Sequence, residues 1–240
     1  MNEATLQPDN RGARHGSRRR WVIAGLLTVG ALVAANLIGM TSASARPATQ
    51  TMVGRAFNIT VATSTLGKST PIVGPILDTG VISTTTPETF SPPCSVLTGL
   101  IAAQALCNQV TATADPAGVT ATSSLAGAQI GTPGIPAIVL GAVTVTSTTT
   151  CAGSVGTTTI AYLSVGGHVV INSPTLVAPN TQISVAGIKL ALNQQVPNLA
   201  PAIGLRVNAL HVQVGNAVSS IYVTVGHAES LIRRCPTTTG

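Results

Sequence analysis

His227-Ala228-Glu229, together with His211 upstream, is the grouping in this chain whose residue types could move a proton or hold an ion. On a strand, residues i and i+2 share a face, so His227 and Glu229 would converge. A histidine beside a carboxylate is the beginning of general acid–base chemistry or of a metal site. The plainer reading is a polar strand end with its imidazole rings in water. That reading is adopted, so no catalytic residue and no metal ligand is assigned. Asp78-Thr79-Gly80 has the form of an aspartic-protease loop, but no second copy occurs. Ser-His-Asp catalysis would need Asp78 or Asp115 beside a histidine. Both lie in Pro- and Gly-rich stretches, and no Gly-x-Ser-x-Gly elbow is present. His168, beside Gly166-Gly167, reads as a surface histidine flanking a turn. Phosphate-cradling loops and aromatic stacking platforms are missing, and no cofactor is expected.

The four cysteines, Cys94, Cys107, Cys151 and Cys235, offer a different chemistry. Their spacing contains no CxxC, which argues against zinc. An even number in an exported chain argues for two disulfides, for which three connectivities exist. Cys94–Cys107 and Cys151–Cys235 are favoured: the first closes a short loop, and the second ties a strand end to the C-terminal strand. One tension follows. Ser95–Gln109 has roughly helical apolar spacing at Val96, Leu97, Leu100, Ile101 and Leu106, and is the one plausible helix. A continuous helix there would hold Cys94 and Cys107 about 20 Å apart, whereas a disulfide needs Cα atoms within about 7 Å. Either that helix is short or broken, or the pairing is different.

Export is argued from the first 45 residues. Arg18-Arg19-Arg20 forms a basic n-region, Trp21 to Met40 an apolar run, and Ala43-Ser44-Ala45 a small-residue cleavage site before Arg46. Ser17-Arg18-Arg19-Arg20-Trp21-Val22 also resembles a twin-arginine signal, and the general secretory and twin-arginine readings stand equal. An uncleaved membrane anchor is the third possibility, disfavoured by Asn36, Thr28 and the cleavage site. Residues 1–45 are thus read as a signal peptide with a signal helix, and 46–240 as a single β-rich exported domain. Within the domain, residues 46–136 are broken by Pro and Gly. The expected location is secreted, extracellular or at the cell surface.

The chain carries +6 overall, but five of its twelve basic residues lie in the signal. Residues 46–240 keep seven basic residues against four acids, scattered without a stripe, so no nucleic-acid partner is expected. Thr, Val, Ile, Ala, Gly and Ser dominate. β-Branched residues pack well on a pleated surface, and helix formers are scarce. The expected fold is all-β, an antiparallel β-sandwich-like domain with at most one short helix.

Met52–Ala62 reads as a first strand, with Phe57, Ile59 and Val61 on one face by period two. Gly67–Pro93 holds five prolines and admits only short edge strands. Ala137–Thr150 is strand-like. Thr158–Val165 and His168–Ile171 form a hairpin on Gly166-Gly167. Gln182–Leu192 is a strand pair or one strand kinked at Gly187. Leu205–Val214 and Ile221–His227 form a final hairpin around Gly215–Ser219. The apolar phase switches at Ala209-Leu210, which implies a bulge or burial on both faces.

The ordered segments Tyr162–Gly167, Ala178-Pro179-Asn180-Thr181, Leu190–Gln195, Val207–Val212 and Val225-Gly226-His227-Ala228 resemble the secreted actinobacterial proteins called the choice-of-anchor P family. The resemblance covers residues 137–240. It implies an exported, mostly β surface or extracellular protein of unassigned function, with a C-terminal anchor in some members. This chain departs from that pattern. It ends Cys235-Pro236-Thr237-Thr238-Thr239-Gly240 without a sorting motif or apolar tail, which leaves release or anchoring by an uncleaved signal open.

The expected function is structural or interactive, without catalysis. A cell-envelope polymer or another surface protein is the expected partner, and membrane contact runs only through an uncleaved signal segment. The alternatives are a binding module for a wall or glycan polymer, for which the two mature tyrosines, Tyr162 and Tyr222, make a poor stacking platform, and an exported hydrolase using His211, His227 and Glu229.

Overall fold

β-Branched residues alternating with Thr, Ser and Gly leave the backbone little choice but ladders, and strands account for most of the structure. The structure is a computed structural model and describes residues 49–235 apart from 100, 115, 132–134, 199–200 and 216–218. The signal-peptide reading, its cleavage site at Ala43, Ala45 and Arg46, and the middle of the Gly215–Ser219 loop lie outside the described residues. The strands are β1 (Thr51–Thr65), β2 (Lys68–Ile76), β3 (Ile82–Thr84), β4 (Glu88–Phe90), β5 (Ser95–Leu97), β6 (Ile101–Ala114), β7 (Ala117–Leu125), β8 (Gly127–Ile130), β9 (Ile138–Leu140), β10 (Val143–Thr150), β11 (Gly153–Ile160), β12 (Leu163–Val165), β13 (His168–Ile171), β14 (Thr175–Leu176), β15 (Thr181–Val185), β16 (Ile188–Pro197), β17 (Ile203–Gly215) and β18 (Ser219–Arg233).

They form two antiparallel sheets. Sheet I runs β15-β16-β17-β18-β1-β2, with β3 also on β1. Sheet II runs β13-β12-β9-β8-β6-β7-β10-β11-β14, with β4 and β5 on β6. One apolar core joins them. Ile59, Val61, Leu210, Val212, Val223 and Val225 of sheet I and Leu106, Val110, Val143, Val145 and Ile160 of sheet II are essentially buried. The all-β, sandwich-like expectation holds.

A crease crosses sheet I. In β1 the core-facing residues are Met52, Gly54, Ala56 and Asn58, then Ile59 and Val61. In β18 they are Ile232, Ser230, Ala228 and Gly226, then Val225 and Val223. In β17 they are Leu205, Val207 and Ala209, then Leu210 and Val212. Each strand skips one beat of the alternation, and the strand-to-strand register does not shift. The skipped beats fall on one transverse row, Asn58, Gly226, Ala209 and Asn193. Gly226 and Asn193 hold positive φ of 64° and 47°. This corrects the placement of Phe57, which lies beyond the skip and faces away from Ile59 and Val61. It also explains the phase switch at Ala209-Leu210.

Sheet II has a matching crease. β7 and β8, β9 and β10, and β11 and β12 are collinear halves of single long strands, in continuous register across the break. The row at the break is Ala105, Ala126, Ala142 and Ala161, and Ala105 has φ 44°. There the doubled residues face outward, whereas in sheet I they face the core. The doubled side therefore points the same way in both layers, and the two bends nest.

This crease removes the expected helix at Ser95–Gln109. The segment holds β5 and most of β6. Ile101 and Ala103 face the core, the beat is skipped at Ala105, and Leu106 and Val110 face it again. The skip lengthens one apolar interval and so imitates helical spacing. With the segment extended, the cysteine tension disappears: Cys94 pairs with Cys107, and Cys151 with Cys235, at Cα separations of 4.5 and 5.5 Å. The Pro-rich stretch also differs from expectation, since β2 is nine residues long. It lies at the edge of sheet I and ladders only to β1, so Pro71 and Pro75 interrupt no central strand. The hairpins at Gly166-Gly167 and Ala186-Gly187 and the β17–β18 pair are present as expected.

Hydroxyls and amides join the layers where a larger core would be purely apolar. Buried Ser147 Oγ lies 2.8 Å from Leu205 O and 2.7 Å from Ser230 Oγ, which is also 2.7 Å from Thr149 Oγ1. At the crease, Asn58 Nδ2 donates to Ser124 O at 2.7 Å and Asn193 Nδ2 to Val177 O at 2.7 Å. Such fully bonded buried groups favour one alignment of the sheets, because a slipped one would strand them unpaired.

Candidate functional site

Below the crease, the outward face of sheet I gathers most of the charge near the core. Two transverse rows build it. Register places Arg55 of β1 opposite Glu229 of β18 and Glu229 opposite Arg206 of β17, and in the next row Phe57 opposite His227 and His227 opposite Asn208. Gln194 of β16 continues the second row.

The contacts follow. Asp78 accepts two bonds from Arg55, Nε at 3.1 Å and Nη2 at 2.6 Å, and its Oδ1 also accepts the Gly80 N–H at 2.9 Å. Thr79 pairs with the backbone of Ala56 in both directions, at 3.0 Å each. Asp78-Thr79-Gly80 is thus pinned against the Arg55–Ala56 stretch of β1. The His227 ring stacks on Phe57 with centroids 4.2 Å apart and planes 11° apart, and the Arg55 guanidinium lies 5.3 Å from the Phe57 centroid. His227 Nδ1 is 2.7 Å from Asn208 Oδ1, and Asn208 Nδ2 donates to Gln194 Oε1 at 2.8 Å. Glu229 lies 3.8 Å from both His227 Nε2 and Arg206 Nη2.

Burial pushes His227 below its usual range, outweighing the nearby Glu229 carboxylate that would raise it. Glu229 is held low by its contact with His227 and by the Arg206 and Arg55 charges, against the burial that would raise it. Burial also works to raise Asp78, but the Arg55 and Gly80 hydrogen bonds and the Arg55 charge bring it below the usual carboxylate range. Each acid in the cluster faces an arginine, so the charges neutralise one another within the face.

The structure brings His227 and Glu229 together as their spacing implies. His227, however, is 6 % exposed and sits in the middle of β18, not at a wet strand end. His211 is not part of this cluster. It lies across the crease, with Nδ1 3.1 Å from Thr224 Oγ1 and its ring against Tyr222. His168 is exposed beside its turn. Among the described residues, no group of three or more His, Cys, Asp or Glu side chains is placed to hold a metal ion. Sequence reasoning missed Arg55, Arg206 and Asn208, and it placed Asp78 in other chemistry. Register joins the first three and hydrogen bonds to Arg55 bring in Asp78, although isolated arginines in a charge-poor chain are a signal that each has a fixed partner.

Acid should weaken this fold in two stages. His211 and His227 both titrate below 6.5 in the folded state because they are buried. An unfolded histidine binds a proton at about 6.5, so stability is full above that pH and falls as pH drops below it, until the folded rings themselves titrate. Asp78 and Glu229, lowered in the fold, add stability above about pH 4 that is lost as pH falls through their folded values. Urea midpoints measured from pH 8 to pH 3 check both stages. His227→Gln should flatten the first, and an unchanged slope in that variant would contradict the assignment.

No family model, curated protein or solved structure matches this chain.

Proposed function

We propose that this chain is an exported β-sandwich that acts by interaction, without catalysis, at the cell surface or in the extracellular space. Its partner on this reading is a cell-envelope polymer or another surface protein. The pairing of all four cysteines carries the proposal, because disulfides persist in oxidising compartments. The basic and apolar N-terminal segment and the choice-of-anchor P resemblance support the same reading. The neutralised outer face supports the non-catalytic part. Its histidine–carboxylate pair is held in structural bonds and stacked on Phe57, and His211 is engaged in a separate contact.

Fractionation of the native host into medium, wall, membrane and cytosol, with mass spectrometry of the protein's N-terminus, tests the reading. A chain beginning at Arg46 in medium or wall is expected. An intact N-terminus on membranes would replace cleavage by anchoring. Cytosolic protein with alkylatable thiols would overturn the proposal.

A further inference from the structure

The crease does more than reverse the alternation in sheet I. His211 and Gln194 face outward on opposite sides of it, and around them the outer face is hollowed into a groove of about 240 Å³. Gln182, Lys189, Ala191, Gln194, His211 and Gln213 line it. They come from β15, β16 and β17, placed side by side by register: Gln182 opposite Ala191, Ala191 opposite His211, and Lys189 opposite Gln213.

We infer that this groove binds a glycan, and that the sugar unit it takes carries an anionic group of the uronate kind. The inference rests on the reading of the chain as an exported interaction protein and gives that reading a ligand class. Three carboxamides line the groove, each able to donate and accept at once, which is what a ring of sugar hydroxyls requires. Gln194 uses its Oε1 on Asn208, and its Nε2 is the atom available to a ligand. His211 engages Thr224 through Nδ1, so Nε2 is its available atom. Burial favours the neutral ring, which can accept from a hydroxyl. Tyr222 flanks the site. Its ring stacks with His211 at 5.6 Å, and its hydroxyl accepts a long bond of 3.4 Å from Gln213 Nε2.

Size and charge narrow the ligand. The volume is under the roughly 300–1,000 Å³ usual for drug-sized ligands, which suits one sugar residue of a chain passing over the sheet. Lys189 is exposed, is the one charged residue of the lining, and meets no acid there. It therefore favours a carboxylate-bearing sugar over a neutral one. A single lysine with no basic stripe does not suit a nucleic-acid backbone.

The test uses the full chain, with trigalacturonate and maltotriose as probes, followed by calorimetry and by NMR shifts. Trigalacturonate should bind saturably, and at least fivefold more tightly than maltotriose. Gln213→Ala and Gln182→Ala should each weaken it about tenfold while circular dichroism and melting stay at wild type, since both side chains face outward. Lys189→Gln should abolish the preference for the uronate and leave maltotriose unchanged. Absence of saturable binding, binding indifferent to the glutamine variants, or equal affinity for the two probes would overturn the inference. Cell fractionation is independent of all these readouts. Binding by a protein found in the cytosol would sink the exported role and leave the groove standing, whereas an exported protein that fails to bind would do the reverse.

Discussion

Opening the Cys151–Cys235 bridge with a Cys151→Ser/Cys235→Ser pair should destabilise the sandwich by about 4–5 kcal/mol in the chain-entropy account. The bridge spans 84 positions of sequence, so it removes a large set of conformations from the unfolded chain. Its ends explain why it also matters to the folded one. Cys151 sits at the β10–β11 turn of sheet II, and Cys235 follows β18, a central strand of sheet I. The bridge therefore clips the two layers together beside the Ser147, Thr149 and Ser230 hydroxyls. Cys94–Cys107 spans only 13 positions within sheet II, and its loss should cost about 3 kcal/mol. At about 2–4 °C per kcal/mol for a domain of this size, the larger effect is a fall in Tm of roughly 10–20 °C. Melting and urea unfolding of the two double variants give the order. Equal costs, or a Cys94–Cys107 variant that is the weaker protein, would refute the loop-length account.

The strands that alternate cleanly are legible in the sequence. β10 follows from Val143 and Val145 at period two and the first half of β18 from Ile221, Val223 and Val225, and the turns at Gly166-Gly167 and Ala186-Gly187 follow from their residues. Both cysteine pairs are the ones that loop length and strand ends favour. What the sequence does not disclose is the crease, because a skipped beat in one strand is meaningless alone. It becomes a feature only when Asn58, Gly226, Ala209 and Asn193 fall on one row, and that alignment depends on pairings between strands far apart in sequence. The same blindness produces the false helix at Ser95–Gln109 and puts Phe57 on the wrong face. It also hides the polar cluster: Arg55 and Glu229 are neighbours through the β1–β18 ladder, which pairs the first described strand with the last. Sequence spacing finds His227 with Glu229, a local pair, and cannot find Asn208 or Arg206, which are equally close in space.

The crease makes its own demand on the chain, and Gly226 is where that demand is sharpest. Its φ is 64°, a conformation in which a β-branched side chain is strained. A Cβ there would lie 3.0 Å from Ala209 Cβ and 3.1 Å from Val145 Cγ1, so the space is closed by both sheets at once. Gly187 separates the two causes. It has φ 76° in an open turn with nothing within 4 Å of a built Cβ, so Gly187→Ala reports backbone strain alone, about 1 kcal/mol. Gly226→Ala should add overpacking, for a total of about 2–3 kcal/mol, and Gly226→Val about 3–5 kcal/mol. Since the outer groove is formed where the strands bend, Gly226→Val should also disturb the environments of His211 and Gln194, visible as NMR shift changes at both, while Gly187→Ala leaves Gln194 unmoved. Urea titration of the three variants tests the energies. If Gly226→Ala costs no more than Gly187→Ala, the layers are not in close contact at the crease, and the bend is set by backbone conformation without the packing of one sheet against the other.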